Sequence, residues 1–315
     1  MTALQPVADL QMVFEIAGIT ASPWLLLGWG ALVGLVFSTV GAAGGILASV
    51  GMISVFGLGD PNLVKPMAQA MTLVTPLVAV PLYARQCRVV WRLAFLLGAG
   101  GVLGALLGSS LSHRLLADMT LFRPVFAVLV FIIAAQLFWQ IFRHGANTVQ
   151  LTRAMRAAES FEGEVRSGAD LCEKGVRCVE AGFRRFVFDF GGERFGFNPM
   201  LPFLTGLGIA MLSSALGVGG GFLLVPFMSI VMRLPMYIIA GTSALAIAIH
   251  SITSISNYVR LGIELDLAML AFLLTGVVAG SFLGPLVSKH VAENGLRGLL
   301  AVILVLIGLR YAGVF

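Results

Sequence analysis

The stretch GVGGGFLLVP, from Gly217 to Pro226, interrupts a long hydrophobic run with four glycines and a proline. In a helix interior, glycine costs about 1 kcal/mol relative to alanine and proline costs about 3 kcal/mol. Non-helical backbone at the depth of a membrane is tolerated only where it is buried in protein or lines a cavity. The stretch therefore predicts either a loop outside a bilayer or a ligand site within one.

Composition places the chain among membrane proteins. Of its 315 residues, 58% are hydrophobic and 11% are charged, and the mean hydropathy is +0.98. Soluble domains do not have this composition, so we predict an all-α polytopic membrane protein with the lipid bilayer as a partner. The net charge of +5 is expected to lie in cytoplasmic loops. Nucleic acid is therefore not an expected partner.

Motifs for catalysis or metal binding are missing from the sequence. Cys87, Cys172 and Cys178 have neither zinc nor haem spacing, and we expect them to be reduced. The chain has neither a nucleophile elbow nor the lysine of a phosphate-binding loop. We predict that the protein is not an enzyme and that it uses no metal and no cofactor.

The charged residues divide the chain. Seventeen of its 35 Lys, Arg, Asp and Glu residues lie between Arg143 and Asn198. We predict an N-terminal tail (1–23), a first membrane repeat (24–142), a cytosolic linker (143–199) and a second membrane repeat (200–315). In the linker, RRFVFDFGGERFGF alternates apolar and polar residues around Gly191 and Gly192, which predicts a β-hairpin.

Each half contains five apolar segments. They are residues 24–40, 46–58, 66–82, 93–111 and 122–142, then 201–216, 222–234, 237–259, 267–287 and 296–314. In each half the second segment is shorter than the roughly 20 residues that a spanning helix needs, and the first is marginal. We therefore expect each half to consist of a glycine-tipped helical hairpin and three spanning helices.

An internal repeat relates the two halves. At an offset of 176 residues, seven glycines of the first half coincide with glycines of the second. The first-half members are Gly30, Gly41, Gly44, Gly45, Gly100, Gly104 and Gly108. Because each half crosses the membrane an odd number of times, the halves are predicted to be inverted-topology repeats. The nine Lys and Arg residues of the linker favour placing it in the cytoplasm.

The glycine stretches GAAGGILASV (41–50) and GVGGGFLLVP occupy equivalent positions, each at the start of a short helix. Backbone N–H groups at helix N-termini bind anions, and glycine lets the ligand approach the backbone. We expect two converging tips to bind a small oxyanion without a nearby Lys or Arg. The candidate binding residues are Gly41, Gly44, Gly45, Gly217, Gly219, Gly220, Gly221, Ser38, Thr39, Ser213, Ser214, Thr72, Thr242 and Ser243.

A second interpretation of these tip glycines stays open, namely that they only allow helices to pack closely. For the mid-helix series Gly100-x-x-x-Gly104-x-x-x-Gly108 and its repeat at 276–284, packing is the prediction. His250 is the one ionisable residue well inside a predicted span, which makes it a candidate for proton coupling. The alternative is a neutral histidine hydrogen-bonded to a neighbouring hydroxyl.

The second half resembles the TauE/SafE family of membrane transporters. The resemblance rests on GVGGGFLLVP, on AGTS at 240–243, on NYVRLGIELD ending at Asp266, and on the duplicated layout. The first half departs from the pattern, with GAAGG for the glycine motif and AQAMT where GTS is expected. The resemblance implies a multi-pass protein of a bacterial inner membrane that exports sulfite, related sulfur oxoanions or organosulfonates with the proton gradient.

Two other functions stay open at this stage. The chain is alternatively a membrane scaffold or sensor that signals through its cytosolic linker, or a passive anion channel. The identity of the anion, the direction of transport, the coupling ion and the oligomeric state are left undetermined.

Overall fold

The structure, a computed structural model, describes residues 11–40, 44–143, 154, 156–158, 160–161, 176–182, 185–287 and 293–313. The first half contains β1 (Met12–Phe14), β2 (Ile19–Ala21), α1 (Pro23–Val40), α2 (Gly44–Val50), α3 (Pro61–Arg85), α4 (Trp91–Leu115) and α5 (Met119–Arg143). After it come β3 (Arg177–Ala181), β4 (Phe186–Phe190), β5 (Glu193–Phe197), α6 (Met200–Leu216), α7 (Gly221–Pro226), α8 (Met236–Arg260), α9 (Leu267–Val287) and α10 (Glu293–Tyr311).

These bounds confirm the predicted helical membrane protein. Within the described residues, α3, α4, α5 and α8 are long and apolar enough to cross a bilayer. The two short helices each continue through a π-helical turn, α2 over Gly51–Val55 and α7 over Phe227–Val231. Each therefore forms one apolar helix of 44–55 or 221–231 that is too short to span.

The predicted linker hairpin is confirmed. Strands β4 and β5 pair antiparallel with Phe188 opposite Phe195, and β3 joins the other edge of β4. The turn residues Gly191 and Gly192 have φ of +57° and +77°, the left-handed conformation that a two-residue hairpin turn requires.

A second hairpin lies in the segment that was predicted to be a tail. Strands β1 and β2 pair antiparallel, with Val13 opposite Thr20. Three-residue strands are too short to show an alternating pattern, so the sequence prediction missed them. Strand β2 lies just before Pro23, the first residue of α1, and β5 lies just before Pro199. Pro23 and Pro199 are 176 positions apart, which is the offset of the repeat. Each half is thus preceded by a hairpin in an equivalent place.

The mid-helix glycines pack helices together, as predicted. A Cβ atom added to Gly100, Gly104 or Gly108 of α4 would collide with the carbonyl oxygen of Phe203, Leu207 or Met211 on α6. In the equivalent contact, Gly276 and Gly280 of α9 face the carbonyl oxygens of Leu27 and Ala31 on α1. These pairs make α4 parallel to α6 and α9 parallel to α1. The directions of these four helices do not conflict with inverted repeats, which remain a prediction.

The linker sheet packs on the membrane helices. Its phenylalanines, including Phe188 and Phe190, are buried in one core with residues of α4, α7 and α8. Beside this core, Arg88 of the loop between α3 and α4 places its guanidinium 3.4 Å from the ring centre of Tyr237, at the start of α8. In the same region Arg92 donates a hydrogen bond to the carbonyl oxygen of Gly182. The linker sheet is therefore not a separate body on a flexible tether.

One cysteine departs from expectation. Cys87 is disulfide-bonded, so the expectation of reduced cysteines is wrong for this residue. The N–H of Val176 donates to the carbonyl oxygen of Cys87 at 3.4 Å. The linker chain therefore passes beside the loop between α3 and α4, a proximity that the spacing of cysteines in the sequence does not reveal.

Candidate anion site at the two glycine tips

The two glycine stretches meet in the structure. We call Gly44 and Gly45, at the start of α2, the first tip, and residues 217–221, between α6 and α7, the second tip. The Ser49 hydroxyl of α2 donates to the carbonyl oxygen of Gly217 at 3.1 Å. A Cβ atom on Gly45 would collide with the carbonyl oxygen of Val218. The halves thus bring their tips into direct contact, as the sequence analysis expected.

The backbone of the second tip needs glycine at two of its positions. Gly217 ends α6 with φ of +73°, and its N–H and that of Val218 donate to the carbonyl oxygen of Ser213 at 2.8 and 3.2 Å. This is the usual left-handed end of a helix. Gly219 also has a positive φ, +70°. Gly220 has φ of −72°, which every L-residue adopts, so its backbone conformation does not explain the glycine.

Polar side chains of the third helices face the tips. The Thr72 Oγ1 atom of α3 lies 2.9 Å from the position of a Cβ on Gly219, and its Cγ2 lies 2.9 Å from that on Gly45. The His250 Nε2 atom of α8 lies 2.6 Å from a Cβ position on Gly220. Thr72 therefore contacts both tips, and His250 is directed at the second.

Several of the buried polar atoms in this region have no hydrogen-bond partner among the described residues. They are the Ser213 hydroxyl, Gln69 Oε1 and both ring nitrogens of His250. Each of these residues is at most 3% exposed. Buried polar groups in proteins are almost always paired, and an unpaired one costs about 1–3 kcal/mol. Such a group of atoms indicates a place where a ligand or water binds.

Other predicted site residues lie elsewhere or have other partners. The Thr242 hydroxyl accepts the N–H of Val90 at the start of α4, and Ser243 lies beside it in α8. Thr242 precedes His250 by eight residues, which is about 12 Å along a helix. Thr242 and Ser243 therefore do not belong to the tips, whereas His250 does contact the second tip. The Ser214 hydroxyl contacts the Ala105 carbonyl oxygen and the Ser254 hydroxyl between helices.

The remaining predicted residues belong to the first tip or precede it in the sequence. The Ser38 hydroxyl donates to the carbonyl oxygen of Leu35 in its own helix. Thr39 lies in the last turn of α1, and its side chain is not among the described ones. Gly41 lies outside the described residues. Gly44 packs on Phe37 of α1, with 2.6 Å between its Cβ position and that of Phe37.

Lys65 corrects the expectation that no cation lies near the tips. α3 begins at Pro61 rather than at residue 66, so Lys65 lies within the helix and is fully buried. Its Nζ donates to the carbonyl oxygens of Leu116 (2.8 Å) and Ser112 (3.4 Å) and to Asn62 Oδ1 (3.2 Å). A Cβ on Gly217 would lie 2.6 Å from the Lys65 Cα. Lys65 therefore supports the second tip with its backbone while its ammonium group binds the end of α4.

Three polar side chains outside the predicted set bond to backbone at or beside the tips, namely Ser49, Gln69 and Gln136. Gln69 Nε2 donates to the carbonyl oxygen of Ser213 at 3.1 Å, and Gln136 Nε2 donates to that of Phe222 at 3.0 Å. These bonds join residues more than 80 positions apart. Gln69 had a signal in the sequence, because it is a polar residue inside a hydrophobic segment.

Comparisons with known proteins agree with this architecture. Residues 26–311 match the family model described as sulfite exporter TauE/SafE. A "Probable membrane transporter protein" of Xylella fastidiosa strain Temecula1 is 25% identical over 268 residues, 85% of this chain and 85% of that protein. One of the same description from strain 9a5c is 25% identical over 282 residues, 88% of this chain and 90% of that protein.

No solved structure matches the chain significantly. The family match covers nearly all of both hydrophobic halves, including both tips. Its members are multi-pass membrane transporters rather than enzymes, in keeping with the apolar helices. The chain belongs to the TauE/SafE sulfite exporter family.

Proposed function

We propose that this transporter exports a small sulfur oxoanion or organosulfonate, such as sulfite, in a proton-coupled cycle, and that it binds the anion between the two glycine tips. The observation that carries the proposal is the group of unpaired buried polar atoms at the point where the tips meet. Ser213 supplies a hydroxyl donor there, and the helices that start at the tips supply backbone N–H groups.

Binding between the tips requires that they separate. With a Cβ on Gly45 colliding with the Val218 carbonyl, the present arrangement leaves no room for a ligand between those two atoms. Movement of one half against the other around a central site is the usual principle of transporters built from repeats. The structure then corresponds to a state in which the tips are closed on each other.

The expected affinity is modest. A helix N-terminus contributes about 0.3–1 kcal/mol to anion binding when exposed and up to ~2 kcal/mol when partly buried. Two helix ends and a few hydroxyl donors therefore hold an anion weakly. Weak binding suits a transporter, because the ligand must leave the site in every cycle.

Flux through proteoliposomes of the purified full chain tests the proposal. Sulfite, thiosulfate, sulfate, an alkanesulfonate and chloride are compared, each with and without an imposed pH gradient. We expect sulfur oxoanions or sulfonates to be transported faster than chloride, and the rate to respond to the pH gradient.

Three outcomes would contradict the proposal in different ways. Flux of anions without discrimination and without a response to the pH gradient would identify a passive channel. Transport restricted to non-sulfur solutes would contradict the substrate class. Absence of flux for all solutes would favour a membrane sensor that acts through its linker.

A further inference from the structure

Gln69 presents an acceptor, not a donor, at the site proposed above. Its amide nitrogen donates to the carbonyl oxygen of Ser213 at 3.1 Å, which fixes the orientation of the amide, since a carbonyl oxygen only accepts. The amide oxygen is left without a partner among the described residues, and the side chain is fully buried. The same Ser213 carbonyl accepts the N–H groups of Gly217 and Val218. Gln69 is therefore bound to the base of the second tip.

His250 adds a second acceptor. A neutral imidazole has one nitrogen that donates and one that accepts, and neither nitrogen of His250 has a partner in the described part of the chain. Its Nε2 is directed at Gly220 of the second tip. The unpaired atoms around the tips thus include both donors and acceptors of hydrogen bonds.

A fully deprotonated oxoanion cannot satisfy this set. All of its oxygens accept hydrogen bonds, so it would pair with the N–H and hydroxyl groups and leave Gln69 Oε1 buried and unpaired. An amide oxygen also carries partial negative charge and repels an anion that offers it no proton. A ligand that carries a hydrogen-bond donor of its own can pair with Gln69 Oε1 as well as with the N–H and hydroxyl groups.

We propose that the transported species is an anion that bears a hydrogen-bond donor, so that sulfur(IV) is carried as hydrogensulfite (HOSO2−) and not as the sulfite dianion. This inference rests on the proposed function. The O–H of the anion donates to Gln69 Oε1, and its remaining oxygens accept from the tip N–H groups and the hydroxyl of Ser213. The proton stays on the same oxygen throughout, so no bond of the anion breaks.

A pair of anions with equal charge and similar shape provides the test. Methanesulfinate (CH3SO2−) replaces the O–H of hydrogensulfite with a methyl group. In proteoliposomes, we expect hydrogensulfite to be transported faster by about tenfold, the effect of leaving one buried acceptor unpaired. The rate through protein-free vesicles is subtracted for both anions.

Variants identify the acceptor. Gln69→Met keeps the length of the side chain and removes the amide, so the preference for hydrogensulfite should fall to within about twofold of none. Gln136→Met is the matched control, because it also removes an amide that donates to a carbonyl of the tip region. We expect Gln136→Met to keep the preference. An unchanged preference in Gln69→Met would overturn the assignment of Gln69.

A measurement on the unmodified protein keeps the proposal testable if Gln69→Met fails to fold. At constant total sulfur(IV), the initial rate should follow the hydrogensulfite fraction as pH rises. The reference for effects of pH on the protein itself is 2-hydroxyethanesulfonate, which has an O–H donor and keeps its charge over this range.

Equal transport of methanesulfinate and hydrogensulfite would overturn this inference and leave the proposed function intact. Failure to transport any sulfur oxoanion or sulfonate would instead contradict the proposed function.

Discussion

Gly220 separates the two interpretations of the glycine tips. Its φ of −72° suits any residue, and a Cβ there would meet the His250 ring at 2.6 Å rather than backbone. At Gly217, by contrast, φ is +73° and a Cβ would meet the Lys65 Cα. Steric demands of the fold therefore explain Gly217, whereas the space beside Gly220 faces the candidate site.

We predict that Gly220→Ala lowers anion flux on the order of tenfold, equivalent to about 1.4 kcal/mol, while the yield of folded protein changes little. The added methyl group displaces His250 and occupies the space where the anion approaches. Gly217→Ala is the comparison, and it should lower thermal stability by about 1–2 kcal/mol or more because it strains the backbone. Both are measured by flux and by thermal unfolding in detergent. Intact flux in Gly220→Ala, or its failure to fold, would assign this glycine to packing.

His250 is predicted to tune the pH dependence of transport without being indispensable. Its ring is buried beside the second tip, and no carboxylate among the described residues pairs with it. Histidine is the side chain whose charge most readily changes near physiological pH. His250→Gln keeps a polar side chain and removes that titration, so the dependence of flux on pH should shift while substrate binding stays measurable.

The assay for His250 uses 2-hydroxyethanesulfonate from about pH 4 to about pH 8, a range wide enough for a buried histidine. The charge of this substrate does not change there, so any change in the profile belongs to the protein. Ser254→Ala is a suitable control, because Ser254 lies on the same helix and contacts Ser214 rather than the tips. An identical pH profile in His250→Gln and the unmodified protein would assign His250 to packing.

At the scale of elements, each half carries a hairpin that packs against helices of the other half. The β1–β2 hairpin contacts α9, where Phe14 meets Phe272 edge to face with ring centres 6.4 Å apart. The β4–β5 hairpin contacts α4, where Arg92 lies 5.1 Å from the ring centre of Phe186. Both contacts join elements of opposite halves, so the hairpins add to the attachment between them.

Asp266 is the polar link of the first hairpin. Its carboxylate accepts the N–H of Met269, which caps α9, and the N–H of Ala17 in the hairpin turn. We predict that Asp266→Ala lowers thermal stability by about 1–2 kcal/mol, the usual effect of losing a helix cap, and increases hydrogen exchange in residues 12–21.

Asp118→Ala is the matched control for Asp266→Ala. Asp118 lies between α4 and α5 and caps α5 through the N–H of Thr120 at 3.0 Å. That N–H holds the pKa of the exposed Asp118 carboxyl below its usual value. A depressed pKa contributes stability above the pKa of the unfolded chain, and the contribution is lost as pH falls through the folded value. Asp118→Ala should leave exchange at 12–21 unchanged; equal effects of both variants there would contradict the link.

At the scale of the whole molecule, the predicted inverted repeat and cytoplasmic linker are open to direct measurement. Arg185 in the linker, and Asp118 and Glu264 in the loops at the other end, are exposed. Single cysteines at these positions, in a background with the native cysteines replaced, should react with an impermeant reagent from opposite faces. We expect position 185 to react only from the cytoplasmic side.

The labelling also has outcomes that contradict the prediction. Reaction of positions 118 and 264 from different faces would disprove the inverted arrangement, since both follow an odd number of crossings from the linker. Reaction of position 185 from the outside alone would keep the arrangement and reverse the orientation. The prediction of the orientation rests on the nine Lys and Arg residues of the linker.

The sequence alone determined the class of the protein, the positions of its apolar helices, the linker hairpin and the glycine stretches of the two tips, and it predicted the duplication. Hydropathy, breaks at glycine and a repeated spacing are local or periodic signals, and they survive without any knowledge of contacts. Only the tertiary structure decided which side chains surround the tips. Ser49 and Gln69 reach residues 168 and 144 positions away, and Thr242 lies far from the tips although its segment was correctly predicted. Side-chain partners across such separations depend on how the helices pack, because each helix presents its polar residues to whichever neighbour the fold places beside it.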